Sequence, residues 1–242
     1  MLQSVKSLYG KYLGTSDGEI GHIRDFYFDD QHWAVRYVVV DTGSWLAERL
    51  VLLSPHAFGS LYQDGDSLLV NLTRKQIENS PSIDLHKPVS RHFEEEYYRY
   101  YGWPSYWEGE GIWGVGGSPN VQPPLPILNE QAFQGSKPRN DGDSHLRSTK
   151  TVTGYHIKTH EGAIGHVTDF IMDDKSWVFR HLVVETGHWY AGKEIAISPK
   201  RVERISYEES KVFVNVTKEA IQGAEEYAMP SPAYQDSRNF DD

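Results

Sequence analysis

An internal repeat at an offset of 144 residues most constrains the fold of this chain. The segment GEIGHIRDF at residues 18–26 returns as GAIGHVTDF at residues 162–170. Residues 17–55 and 161–199 are identical at 18 of 39 positions without a gap. Average residue frequencies give roughly 2 or 3 identities by chance. The sequence therefore predicts a duplicated domain, with two copies of one small fold.

Each copy has the composition of short strands separated by turns. In the first copy, β-branched and aromatic residues predict strands at residues 20–28, 33–40, 49–53 and 67–72. Asp29 and Asp30 supply turn chemistry between the first two. Thr73 followed by Gln76 predicts a capped helical turn, and Thr217 begins its counterpart. This pattern predicts a mainly β fold made of two small antiparallel β-barrels.

Six glycines recur at matching positions and are interpreted as turn glycines. They are Gly18, Gly21, Gly43, Gly162, Gly165 and Gly187. Glycine accepts tight bends and close backbone approach, both of which a small barrel needs. No strand–loop–helix pattern surrounds them, so they do not indicate a phosphate-binding loop.

The segment between the copies has a different character. Residues 81–147 hold eight of the 12 prolines, which excludes continuous helix or sheet. Its first part is rich in aromatic residues, and the candidate interface set is Phe93, Tyr97, Tyr98, Tyr101, Trp103, Tyr106, Trp107 and Trp113. Flexible linkers avoid such side chains because their hydration is unfavourable. Three interpretations stay open: packing across both copies, burial in a homo-oligomer, or an exposed platform for a partner.

These observations predict a division into four segments. They are a first copy at 1–80, an insert at 81–147, a second copy at 148–226 and a mobile tail at 227–242. The two halves of the insert differ, since the aromatic part is followed by a stretch rich in Gly, Pro, Ser and Asn.

The repeated motif resembles the PRC-barrel family. The resemblance rests on G-x-I-G-H-[IV]-x-D-F, the acidic turn, the aromatic strand and a later strand ending at Ser54-Pro55, and it covers both copies. It implies small β-barrels like those of the cytoplasmic domain of the photosynthetic reaction-centre H subunit and of a ribosome-maturation factor. The insert is similar to those of soluble bacterial members. The resemblance implies a docking or assembly module rather than an enzyme.

Repeated charged residues are the candidate sites. A two-residue hairpin loop at Asp30-Gln31 would place Asp25 opposite Arg36, with Asp169 and Arg180 as the counterparts. We interpret both pairs as cross-strand ion pairs. The alternative, a carboxylate acting as acid or base, fits less well because a neighbouring Arg keeps it ionised.

Composition limits the function classes. The chain carries 34 acidic against 24 basic residues, a net charge of -10, which disfavours nucleic acid as a partner. It has no cysteine, which excludes disulfides and thiolate metal sites. No apolar run is long enough to span a membrane, and we expect a cytoplasmic location without cofactor or metal.

The sequence predicts a non-catalytic, protein-binding module with an unidentified protein partner, and homo-oligomerisation stays open. The alternatives are a small-ligand or metal-binding sensor and a metal-dependent hydrolase using His and Asp residues at the barrel rim.

Overall fold

A computed structural model describes residues 1–47, 49–58, 67–83, 88–114, 117–119, 146–187 and 192–228. Of the predicted insert and tail, residues 84–87, 115–116, 120–145 and 229–242 lie outside the described residues. The described chain is mainly β with few short helices, which confirms the mainly β part of the predicted fold class. None of its described helices is long and apolar enough to cross a bilayer.

The strands and helices follow the same order in both copies, except that β12 has no counterpart among the described strands of the first copy. The strands are β1 (Leu2–Ser4), β2 (Tyr12–Thr15), β3 (Gly18–Asp29), β4 (Ala34–Asp41), β5 (Leu50–Leu53), β6 (Ser67–Leu69), β7 (Leu146–Ser148), β8 (His156–Thr159), β9 (Gly162–Asp173), β10 (Val178–Thr186), β11 (Glu194–Ile197), β12 (Val202–Ser206) and β13 (Lys211–Val214). The helices are α1 (Val5–Leu8), α2 (Arg74–Glu78), α3 (Arg91–Tyr101), α4 (Thr149–Val152) and α5 (Lys218–Gln222).

The chain divides into two compact units. The first unit is Gly10–Arg147 and holds the first copy with the insert. The second unit holds the second copy together with Met1–Tyr9, although the sequence had placed residues 1–80 in one segment. The reason is strand pairing, because β1 adds to the far end of β9. The strand at the matching position of the second copy, β7, pairs with β3.

Within each unit the strand pairing is mixed rather than purely antiparallel. In the first unit the order is β5-β4-β3-β2-β6, and in the second unit it is β11-β10-β9-β8-β13-β12. The pairs β2–β6 and β8–β13 are parallel. The expectation of closed antiparallel barrels is therefore wrong. In the second unit the edge strands β11 and β12 are joined through the 3-10 turn Pro199–Arg201, where proline supplies no N–H to extend a ladder. No pairing between β11 and β12 occurs among the described residues.

The turn after β3 sets an unexpected register. Residues 30–33 form the loop, and Trp33 has φ 55°, a conformation uncommon for a bulky residue. Tyr27 lies opposite Tyr37 and Phe28 opposite Val35, so Arg36 is the extra residue of a β-bulge. The second copy repeats the pattern, with Trp177 at φ 56° and Arg180 as the extra residue.

The predicted helix caps are present. The Thr73 Oγ1 accepts a hydrogen bond from the Gln76 N–H at 3.2 Å, and the Gln76 Oε1 accepts one from the Thr73 N–H at 2.8 Å. This is a complete capping box at the start of α2. At the start of α5 the Thr217 Oγ1 accepts from the Ala220 N–H at 3.2 Å. Local sequence was sufficient here because each cap involves residues only three positions apart.

The two central strands differ in burial. β4 is buried along all but its last residue, whereas β10 exposes Arg180 and Glu185. One side of each strand faces the hydrophobic interior of its own unit. On the other side of β10, Val183 is buried and the Tyr227 ring lies 6.3 Å from that of His181, so the described residues cover this side only in part.

Two of the predicted glycines allow close backbone approach. A Cβ at Gly21 would lie 2.0 Å from the Asp41 carbonyl oxygen, and one at Gly165 would lie 2.0 Å from that of Glu185. Positive φ values occur at Gly18, Gly21, Gly43 and Gly162. The Gly187 N–H donates to the Ile164 carbonyl at 3.1 Å.

Gly165→Ala is expected to lower the free energy of unfolding by about 2–4 kcal/mol, because the added methyl group clashes with backbone that cannot rotate away. Chemical denaturation measures the change. Gly14→Ala is the control, since its Cβ would meet only the Leu69 side chain at an ordinary 3.5 Å. Equal stability of the two variants would contradict the close approach.

Candidate functional site

The aromatic part of the insert packs on the outer face of the first-copy sheet, by which we mean the side carrying Arg36, Tyr37, Ser54 and His56. α3 begins after Ser90, whose Oγ accepts from the Phe93 N–H at 3.2 Å, and ends at Gly102 with φ 70°. Its buried residues are Glu94, Tyr97 and Tyr98, at helical spacing i, i+3 and i+4. One face of α3 therefore lies against the sheet.

Two tyrosines of α3 bind the end of β5. The Tyr97 hydroxyl accepts from the Ser54 N–H at 2.9 Å and donates to the Leu52 carbonyl at 3.0 Å. The Tyr98 hydroxyl lies 3.3 Å from the Ser54 Oγ. Burial raises the pKa of both hydroxyls, so they remain protonated at neutral pH and can donate. These bonds pair backbone groups that would otherwise be buried without partners.

A fully buried carboxylate links the sheet to the insert. The Glu94 Oε1 accepts from the Tyr37 hydroxyl at 3.0 Å and from the Tyr106 hydroxyl at 2.7 Å. Its Oε2 lies 2.9 Å from the Arg91 Nη1. Burial, and next the charge of Glu94, raise the pKa of both hydroxyls. The buried charge is thus compensated by a cation and two donors.

Arg36 is the centre of the cluster. Its guanidinium is buried and lies 3.0 Å from the Asp29 Oδ2, and its Nη1 donates to the Ile112 carbonyl at 2.6 Å. The guanidinium carbon lies 3.9 Å from the Tyr106 ring centre and 4.9 Å from that of Trp113. Carboxylate, carbonyl and two aromatic faces together replace most of the water that a buried arginine loses, although its Nε is buried without a hydrogen-bond partner among the described residues.

Asp29 pairs with Arg36 and also accepts hydrogen bonds within the turn that follows β3. Its Oδ1 accepts from the Gln31 N–H at 2.8 Å, and its Oδ2 lies 2.7 Å from the His32 Nδ1. Burial by itself would raise the pKa of Asp29, but the Arg36 charge and these hydrogen bonds outweigh it, so the pKa is lowered. The turn interpretation of the acidic pair is confirmed by the Gln31 bond.

The predicted pairs of Asp25 with Arg36 and of Asp169 with Arg180 are wrong. Arg36 pairs with Asp29, and the Arg180 Nη2 lies 2.6 Å from the Asp173 Oδ2. The cause is the four-residue loop and the bulge, which place Asp25 opposite Val39 instead. Asp25 is buried and accepts from the Phe26 N–H at 2.8 Å.

Asp169 has a structural role in the second unit. Its carboxylate accepts from the Lys6 N–H at 2.9 Å, from the Phe170 N–H at 2.7 Å and from the Ser4 hydroxyl. These bonds hold the β1–α1 segment against β9. Burial raises the pKa of Asp169 in spite of them.

The candidate interface set divides by burial. Tyr97, Tyr98, Tyr106 and Trp113 are buried, whereas Phe93, Tyr101, Trp103 and Trp107 are partly exposed. The contacts given above lie within the first unit, so most of this aromatic surface is used on the chain's own first copy. That the insert also packs on the second copy stays a prediction, as does its burial in a homo-oligomer.

His56 was not singled out by sequence reasoning. Its Nδ1 donates to the Pro119 carbonyl at 3.0 Å, and its ring stacks on Trp103 with centres 5.6 Å apart. Its Nε2 is buried and has no hydrogen-bond partner among the described residues. Burial chiefly, and the charge of Arg36, lower the pKa of His56 to about 4. The imidazole is therefore neutral at pH 7.

Among the described residues, the corresponding side of the second copy is covered only in part, with the Tyr227 ring 6.3 Å from that of His181. Arg180, His181, Ser198 and Lys200 stand where the first copy has Arg36, Tyr37, Ser54 and His56. The side chain of Arg180 is 49% exposed, against 1% for Arg36. The His181 Nδ1 is buried without a hydrogen-bond partner among the described residues. We call these four residues the open face.

The described residues form a surface pocket in the second unit but no cluster of metal ligands. Within the described part of the chain, His, Asp and Glu residues nowhere gather in a group of three that could hold a metal ion. A surface pocket of about 530 Å³ in the second unit is lined by Lys6, His166, Asp169 and Glu185 among others. Asp169 already accepts three hydrogen bonds there, so its carboxylate mainly holds the fold.

Comparison with known proteins supports the family resemblance of the second copy. Residues 159–221 match the family model of the PRC-barrel domain. The match contains all of β9 and β10 and continues through β13, and it confirms the resemblance for this copy. No curated protein matches the chain.

Glu94→Ala is expected to lower the free energy of unfolding by about 3–5 kcal/mol, because Arg91 and two buried hydroxyls lose their common partner. Denaturant titration of the purified chain measures it. Glu95→Ala, one residue further on the exposed side of α3, should change stability by less than about 0.5 kcal/mol. Similar effects of both substitutions would show that Glu94 is not a buried link.

Stability should fall as the pH drops from 6.5 toward 4, since the unfolded chain then takes up a proton on His56 that the folded chain excludes. A pKa of about 4 in place of about 6.5 corresponds to about 3 kcal/mol over this window. His56→Gln should remove this part of the pH dependence, whereas His92→Gln, at an exposed helix position, should retain it. Denaturant midpoints between pH 7 and pH 4 give the comparison, and equal slopes for wild type and His56→Gln would contradict the assignment.

Proposed function

We propose that this chain is a non-catalytic docking module, built from two PRC-barrel-type copies related by internal duplication, whose second copy binds a protein partner through the open face. The first copy is occupied by the chain's own insert. The second copy keeps the same bulged arginine and its carboxylate but leaves them accessible. The family match of residues 159–221 supports this proposal at the level of the domain.

One observation carries the proposal. The side chain of Arg36 is 1% exposed under the insert, whereas that of Arg180, at the same bulge position, is 49% exposed. In both copies the guanidinium is held by a carboxylate, Asp29 or Asp173. The open face thus presents a fixed, oriented arginine that costs little side-chain entropy on binding.

The contrast with an enzyme site supports the same function. The cluster on the first copy uses its tyrosine, glutamate and histidine groups in mutual contacts under a covering layer. Burial keeps the tyrosine hydroxyls protonated and His56 neutral. Such groups hold two surfaces together, which is the chemistry of an interface.

The test is site-specific photo-crosslinking in the source cell, with a photoreactive amino acid replacing Lys200 on the open face. We expect one protein to be captured from this position and not from Lys75, an exposed position on α2. The captured protein, once purified, should bind the intact chain at 1:1 stoichiometry and bind Arg180→Glu at least about tenfold more weakly.

Docking at the open face would be refuted by equal capture from both positions. It would also be refuted by unchanged affinity for an Arg180→Glu chain that circular dichroism shows to be folded. Lys200→Glu provides a second variant that leaves the Asp173–Arg180 pair intact.

A further inference from the structure

We infer that the partner presents an acidic, tyrosine-bearing helical segment to the open face, in the way that α3 and the following loop are presented to the first copy. This inference rests on the proposed function and names the class of partner. It follows from which polar groups of the open face have no partner among the described residues, and from what their counterparts in the first copy bind.

Three neighbouring positions of the open face have unused hydrogen-bonding groups. Arg180 uses Nη2 for Asp173 and Ser176, while its Nη1 makes no hydrogen bond in the described part of the chain. The His181 Nδ1 is buried and unpaired there. The Ser198 side chain does not cap the turn that follows it, unlike that of Ser54, which accepts from the His56 N–H at 3.4 Å.

The counterparts of these groups show which ligand atoms fit. Arg36 donates Nη1 to a main-chain carbonyl, that of Ile112. Tyr37 binds a glutamate, Glu94, and Ser54 binds two tyrosine hydroxyls. The carboxylate and both tyrosines come from successive turns of one helix. A helix with Glu at i and Tyr at i+3 and i+4 can therefore bind the hydrogen-bonding groups on the equivalent side of the second copy.

Charge favours an acidic segment. The second copy carries an exposed Lys200 where the first copy has the neutral His56. Arg180 and Lys200 are the basic residues of the open face, on a chain whose net charge is -10. The insert that covers the first copy is itself acidic, with Glu94, Glu95, Glu96, Glu108 and Glu110 against Arg91 and Arg99. Complementary charge steers such a segment to the open face and rejects basic ones.

Aromatic rings are a further feature that we expect of the partner segment. In the first copy Tyr106 and Trp113 cover the faces of the Arg36 guanidinium. No ring lies over the Arg180 guanidinium among the described residues, although the Tyr227 ring is 6.3 Å from that of His181. An aromatic side chain of the partner can therefore stack on Arg180.

The probe is a fluorescein-labelled synthetic peptide with the sequence of residues 88–114, titrated with the full chain and followed by fluorescence anisotropy. We expect saturable binding that Arg180→Ala weakens at least about tenfold. Arg204→Ala, an exposed arginine on β12, should leave it unchanged. In the peptide, Glu94→Gln and the pair Tyr97→Ala with Tyr98→Ala should each weaken binding several-fold.

The control experiments distinguish among the segments that could occupy the open face. A peptide that displaced the insert from the first copy would bind Arg180→Ala as well as wild type, and that result would overturn the inference. If the peptide bound only to a chain truncated after Ala228, residues 229–242 would be the occupant of the open face. This result would also overturn the inference. Dimerisation lost in Arg180→Ala would make a second chain the occupant, with the same consequence.

The two proposals can fail separately. If Lys200 captures a protein but the peptide does not bind, docking stands and the acidic tyrosine helix is refuted. Mass spectrometry of the cross-linked segment then gives its actual composition. If the peptide binds through Arg180 but no protein is captured in the source cell, the ligand chemistry stands and the proposed cellular function is refuted.

Discussion

The buried guanidinium of Arg36 is the interaction on which the first unit depends. A charge of this kind costs several kcal/mol to remove from water unless its donors and faces are compensated. The sheet provides the carboxylate of Asp29, and the insert provides the Ile112 carbonyl and the rings of Tyr106 and Trp113. Neither layer could bury this group by itself, so the sheet and the insert stabilise one another.

The same constraint explains the difference between the copies. The bulge and its carboxylate recur in the second copy, where Arg180 is paired with Asp173 but remains half exposed. Water solvates the rest of the guanidinium, so no second insert is needed for stability. A strand whose outer side is exposed in one copy and buried in the other can be stable in both while offering a binding surface in one.

Local signals predicted a good part of this molecule. The strands β3 and β4, the Thr73 cap and the hydrogen bonds of the Asp29 turn all involve residues close in sequence, and their chemistry is readable there. The partner of Arg36 could not be predicted, because it depends on loop length, on a left-handed Trp33 and on a bulge. Each of these shifts the register by whole residues, and a shift of one residue changes every cross-strand neighbour. Glu94 could have been found from its helical spacing to Tyr97 and Tyr98.

The sequence by itself determined the repeat, the mainly β class, the family of the second copy and the presence of an aromatic insert, because these are properties of composition and short-range pattern. Only the tertiary structure decided that β1 joins the second unit and that two strand pairs are parallel. It also decided that the insert covers the first copy, while the described residues leave Arg180 on the equivalent side of the second copy half exposed. Those outcomes depend on contacts between residues tens to more than a hundred positions apart. Each one is set by the free energy of burying whole surfaces, which no short segment contains.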